Sequence, residues 1–447
     1  MSSPCHFERS ITRRCLLLLG FAILLHAIGN WKDAVAQSRA SRPLTSNGTV
    51  RALFVYVKFS DDTFENHCTT EWNAVSFDST RPSWTNMIVD SVKLPQQTPG
   101  SLSDYFATVS YGNFSLVGDI FPRDNLVYVP PHPESYYVRR IEEFPPGDPR
   151  RRGLGFLNAE ILKDLDETID YRRYDTNPKD GVVDMIFMLY RKYSIVTAGD
   201  CVGSYTGIAR LDPCLDGFFP IRLDSVEITG GDFGSGLTMR HAIQLYELRE
   251  VGAHELGHFW FGSTHYGDKL GEFGYPAAPG RSAFEKIALG WASMTPPITA
   301  DTTDLVIDDL ASNPEAIYGI PLNSRASHYL LLENRQRTNL YEQQFRNACG
   351  ALKGLPAPGL LVTEVRTLPL QEASTTRGRI LPIRVVAADG TWQSPGAAGD
   401  TFKPGDELRY PLPRARQDGG DAGDELVITN IRQASSQVIV DIFFKRE

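Results

Sequence analysis

Three residues near the middle of the chain have the types and spacing to do chemistry together: His254, Glu255 and His258, in the run His254-Glu255-Leu256-Gly257-His258. Histidines at i and i+4 lie on one side of a helix, one turn apart, so both imidazoles can reach a single metal ion. Imidazole nitrogen suits zinc, and zinc lowers the pKa of a coordinated water to about 7. A glutamate beside the first histidine can take the proton of such a water as it attacks a carbonyl. The chemistry indicated is hydrolysis of a peptide bond or a related amide. Only three letters of the pattern are fixed, and ordinary residue frequencies produce it on the order of once per hundred chains of this length. Its surroundings therefore decide its weight.

Ile243, Leu245, Leu248 and Val251 precede the motif at helical spacing, so the helix that must carry it is expected from about Thr238 to Phe261, with Gly262 as its stop. A catalytic zinc keeps three protein ligands and one open position. A chain that turns back at Gly262 brings His265 into range as the third ligand. Glu272 and Glu285 are the alternatives, and Asp268 is better suited to supporting a ligand from outside. Tyr266 and Tyr275 are candidate hydrogen-bond donors to the oxyanion.

The rest of the chain bounds this reading. It has 447 residues, with 54 acidic against 45 basic and a formal charge of −9, the opposite of a nucleic-acid binder. Arg13 and Arg14, an apolar run from Cys15 to Leu25 and Ala34-Val35-Ala36 describe a secretory signal over residues 1–36. The apolar core of that run is shorter than the ~20 residues a membrane span needs. The expected location is therefore outside the cytoplasm, extracellular or periplasmic, with no stable membrane insertion after cleavage. Cys68, Cys201, Cys214 and Cys349 remain for disulfides, Cys201 with Cys214 being the first guess.

Ala52–Phe59, Phe114–Ile120 and Val182–Tyr190 read as strands, Leu102–Val109 as a helix, and residues 129–153 as an exposed loop. Leu157, Ile161, Leu165 and Ile169 recur every fourth residue and predict another helix. Beyond residue 300 the apolar runs shorten, at His328–Leu332, Leu360–Val365, Ile380–Val386, Leu426–Ile431 and Val438–Phe444, which reads as all-β. Asp175, Asn177, Asp180 and Asp184 gather oxygens around Gly181, either as a calcium loop or as an Asx-rich turn.

The segment HELGHFWFGSTHYGD resembles the immune inhibitor A-type family of secreted zinc metallopeptidases, which is metzincin-like. ALFVYVKFSD, SDYFATVSYGNFSLVGDI, DGVVDMIFMLY, FEKIALGW, YLLLENRQ and PGLLVTEV resemble further segments of that family, in order, over about residues 51–445. Where the family places a methionine turn, this chain has Glu272-Phe273-Gly274, so Phe273 is the candidate apolar floor and Met294 lies far along. One more residue separates His258 from Gly262 than is usual there. The resemblance implies an α+β fold, with a zincin-type catalytic domain over 37–300 and a β-rich region over 301–447 packed on it. It implies a secreted zinc endopeptidase acting on proteins or peptides, with Glu255 as general base and His254, His258 and His265 on zinc; it is compatible with Ca2+ in the Asp175–Asp184 loop, the Asx-rich turn being the alternative there. The rival expectation is a secreted binding or adhesion protein on a degenerate peptidase scaffold.

Overall fold

The computed structural model describes residues 44–63, 80–138, 154–192, 207–208, 221–228, 236–239, 245–261, 281–322, 328–346, 352–355, 357–366, 383–391, 399–412 and 424–445. The signal segment, all six cysteines, and the motif's neighbours His265, Tyr266, Asp268, Glu272, Phe273 and Tyr275 lie outside the described residues. The chain divides into two compact units. One is Ser38–Thr264 with Phe345–Lys353, and the other includes His265–Gln344 and Gly354–Glu447. The division therefore falls directly after the motif helix rather than near residue 300.

The first unit is built on a five-stranded sheet. Its strands are β1 (Gly48–Val57), β2 (Phe114–Phe121), β3 (Met185–Tyr190), β4 (Gly207–Ile208) and β7 (Gly236–Met239), in the order β2-β1-β3-β7-β4. All neighbours are parallel except β4, which runs against β7. A small hairpin, β5 (Ile221–Leu223) with β6 (Val226–Ile228), forms a separate two-stranded sheet that shares the core on one face. Parallel central strands are buried on both faces and so read as unbroken apolar runs. Residues Ala52–Val57 and the whole of β3 are buried.

Alternation along the strands sorts the helices. Leu53, Val55 and Val57 of β1 and Ile186, Met188 and Tyr190 of β3 share a core with helix α3 (Leu154–Asp164), α1 being Leu102–Val109 and α2 Glu134–Val138. Phe54 and Phe187 point the other way and stack at 4.3 Å. On that face lie α1 and α4 (Leu245–Phe261). Ser101 caps α1 by accepting from the Asp104 amide at 2.9 Å.

Three expectations change. The motif helix begins at Leu245, not Thr238. Gly236-Leu237-Thr238-Met239 alternates at strand period and adds to the edge of β3. Helix α3 stops at Asp164, although Leu165 and Ile169 are buried, and in the turn that follows the Thr168 hydroxyl donates to the Leu165 carbonyl at 2.9 Å. Part of the stretch expected as loop is helical, as α2.

The second unit is antiparallel. One sheet orders β14 (Ile383–Val385), β13 (Gly359–Arg366), β10 (His328–Arg335) and β9 (Ile317–Pro321). The other orders β15 (Leu408–Pro411), β16 (Glu425–Ala434), β17 (Gln437–Lys445) and β8 (Thr302–Ile307). Leu330, Leu332, Leu360 and Val362 of the first meet Leu408, Leu426, Ile428 and Val440 of the second in one core, a β-sandwich. Helix α5 (Ala283–Leu289) packs on β10, capped by a reciprocal Ser282–Glu285 box and ended by Gly290 at φ +73°. The short ribbon β11 (Phe345–Arg346) with β12 (Leu352–Lys353) belongs to the first unit.

Candidate functional site

Helix α4 carries His254, Glu255 and His258 on one unbroken span of 17 residues. Its inner face comprises Leu248, Gly252, Leu256 and Phe259, all buried. Gly252 lies against neighbouring elements. A Cβ there would stand 3.1 Å from Leu102 of α1 and 3.5 Å from Phe187 of β3. A glycine costs a helix interior up to about 1 kcal/mol relative to alanine, and here it permits the close approach.

The two ends of α4 are tied to the same unit. Arg249 Nη1 donates to the Gly100 carbonyl at 3.4 Å, and its guanidinium lies 5.1 Å above the Tyr246 ring. Trp260 Nε1 donates to the Thr45 carbonyl at 3.2 Å. The Trp260 ring meets Phe106 and Phe114 edge-on at 5.8 and 5.3 Å. Edge-to-face pairs contribute about 0.5–1.5 kcal/mol each beyond the area they bury.

His254 is half-buried and Glu255 is 6% exposed. Burial pushes the Glu255 carboxyl up to about 8. His258 follows one helical turn beyond His254. The donor set suits a borderline-soft dication. Two histidines are spaced one turn apart along α4, and beside the first is a carboxyl that burial raises and a nearby cation would bring back down. His254 and His258 would hold such an ion. The third donor is not placed, since His265 and Glu272 lie outside the described residues.

Glu285 is placed, and it is otherwise engaged. It is fully buried, accepts from the Ser282 amide at 2.8 Å and from Ser282 Oγ at 2.9 Å, and pairs with Arg281 at 3.1 Å. Met294 lies in the second unit, bridged to Ile317.

The Asp175–Asp184 loop spends its oxygens on its own backbone. Asp175 accepts from the amides of Asp180 and Gly181, both at 2.9 Å. Asp184 Oδ2 accepts from the amides of Thr176 and Asn177 at 2.6 and 2.8 Å. Asn177 Nδ2 donates to the Asn47 carbonyl at 3.0 Å. These are the hydrogen bonds of an Asx-rich turn around Gly181 at φ +86°. Among the described residues no group of three or more His, Cys, Asp or Glu side chains is arranged to hold a metal.

Sequence reasoning missed the supports of α4: Gly252, Arg249 and Trp260. A glycine inside an otherwise apolar helix face was the available signal for the first. Among the described residues no helix is long and apolar enough to cross a membrane. A scan of the chain against protein-family models finds no match, and a search of curated proteins finds no relative.

Proposed function

We propose that the protein is an exported zinc-dependent endopeptidase whose catalytic machinery sits on α4. The observation that carries this reading is the His254-Glu255-x-x-His258 pattern within one continuous helix, with Glu255 buried beside the first histidine. A bound zinc ion supplies Lewis acidity, which polarises the scissile carbonyl and acidifies water. His254 and His258 hold it, and His265 is the proposed third ligand. Glu255 takes the proton from the attacking water and returns it to the departing amine. Burial raises its carboxyl, which makes the carboxylate a stronger base toward the attacking water than an exposed one.

The test is Glu255→Gln. The amide keeps the shape of the side chain but cannot accept a proton. Casein cleavage should fall by at least about a hundredfold, the lower end for losing a general base. Zinc content by elemental analysis should stay near one per chain. Residual cleavage close to that of the unsubstituted protein would sink the mechanism, and absence of zinc from both proteins would favour the binding-protein reading.

A further inference from the structure

The second unit buries seven charged side chains in one connected network: Arg281, Glu285 and Lys286 around the start of α5, Glu333 and Arg335 on β10, and Asp309 and Glu342 beside them. None is more than 5% exposed. The network holds a tight corner. Arg281 sits at φ +54°, a left-handed backbone unusual for a bulky residue. Its carbonyl accepts from Arg335 Nη1 at 3.1 Å, and the Ala283 amide donates to Glu333 Oε2 at 2.9 Å. Arg335 Nη2 pairs with Glu342 Oε1 at 2.7 Å, and Arg335 Nη1 lies 3.6 Å from Glu333 Oε2. Asp309 accepts from the Ala311 amide at 3.1 Å and from the Thr338 hydroxyl.

Two features stand out. Four acids face three bases, so full ionisation would leave a net buried negative charge. In addition, Glu333 Oε1 and Glu342 Oε2 are both buried with no hydrogen-bond partner. An ionised carboxylate oxygen without a donor in a dry interior is costly, and neutralisation is the usual escape.

We propose that this network is a proton site: at neutral pH the Glu333–Glu342 pair carries one proton, which brings the seven groups to zero net charge and secures α5 on β10. The two carboxyls shift in the same direction. Burial pushes the Glu333 carboxyl up to about 7 against the pull of Arg335 and Lys286, with Glu342 adding to the rise. Burial also raises Glu342 against Arg335, with Asp309 reinforcing the rise. Lys286 is pushed down to about 7 by burial and by Arg335, while Glu342, Glu333 and Asp309 pull it up. The charged groups facing the pair are therefore Lys286 on α5, Arg281 ahead of it, Arg335 on β10 and Asp309, with Glu285 paired to Arg281. The site stands independently of the zinc reading.

A group whose folded pKa is raised binds its proton more tightly folded than unfolded. Its stabilisation is full below the unfolded value of about 4.3 and is lost as pH climbs toward the folded one. The experiment uses infrared spectroscopy of the full chain carrying Glu255→Gln, which removes a raised carboxyl outside the network. The protonated-carboxyl C=O band, which ionised carboxylates lack, should be present at pH about 6 and fade by about 8. Glu333→Gln or Glu342→Gln should reduce it, and the double variant should reduce it further, leaving only what Glu285 and Asp166 contribute. Relative to that background, Glu333→Gln should gain thermal stability as pH rises from about 5 to 7. If the double variant does not fold, the single variants and the background protein still decide. A missing band in the background protein, or a band that neither single variant reduces, overturns the proposal.

Discussion

Glu255, Glu333 and Glu364 are all buried, yet their carboxyls differ because their neighbours differ. Glu255 is raised by burial alone, and Glu333 by burial that Arg335 only partly offsets. Burial would raise Glu364 too. Hydrogen bonds from Arg366 and His328, with the charge of Arg384, outweigh it and hold the carboxyl down at about 2. His328 Nε2 lies 2.7 Å from Glu364 Oε1, and Arg366 Nε donates to the same oxygen at 2.7 Å. These contacts join β10, β13 and β14 at the end of the sandwich core. A depressed carboxyl stabilises the fold fully above its unfolded pKa of about 4.3 and loses that contribution as pH falls toward 2. Glu364→Gln should therefore cost about 2 kcal/mol near neutrality, the scale of hydrogen bonds to a charged group. The cost should shrink with acidification, which denaturant titrations at pH about 7 and about 3 would show. An equal cost at both would mean that the charge is not what Glu364 contributes. The sequence could not disclose this site, because Glu364, His328 and Arg384 meet only through strand pairing. His254 and Glu255 were legible because their relation is local to one helix.

Elements whose contacts are short in sequence were read closely. Leu102–Val109 is a helix over those residues, and Phe114–Phe121 extends the expected strand by one. Errors came where tertiary context competes with local pattern. Thr238 and Met239, expected at the start of the motif helix, pair with β3 instead. The last turn of α4 depends on partners more than a hundred residues away: Thr45, Phe106 and Phe114 all reach Trp260. Trp260 lies two residues past His258, so loosening it should loosen that histidine. Trp260→Phe keeps a ring against both phenylalanines but loses the N–H to Thr45. It should lower zinc affinity by several-fold, measured by chelator competition well below the melting temperature, and reduce stability by about 1 kcal/mol. Trp260→Ala also removes the ring contacts and should cost about 3–5 kcal/mol. Unchanged zinc affinity in Trp260→Phe would reduce Trp260 to ordinary packing.

At the scale of the whole chain, two compact units of different design divide the work of holding residues in place. The first uses a buried parallel sheet with helices on both faces, which lets α4 be pinned along its length. The second uses a sandwich sealed by polar networks at Glu364 and beneath α5. The change in texture near residue 300 was legible as a rise in short apolar runs. The compact units divide after Thr264, so that α5, a helix, groups with the sandwich. An ion that binds the folded chain and not the unfolded one must raise its stability by mass action. Zinc at a hundredfold excess over its dissociation constant would add about 2.7 kcal/mol. In domains of 150–250 residues each kcal/mol moves the melting point by about 2–4 °C, so chelation should lower it by about 5–10 °C. Added zinc should restore it, and magnesium, which prefers oxygen ligands, should not. Glu255→Gln should keep the zinc-dependent shift, because Glu255 is assigned a proton and not the metal. His254→Ala and His258→Ala should each lose most of it. Melting curves that coincide with and without chelator would remove zinc from α4, and the endopeptidase reading with it.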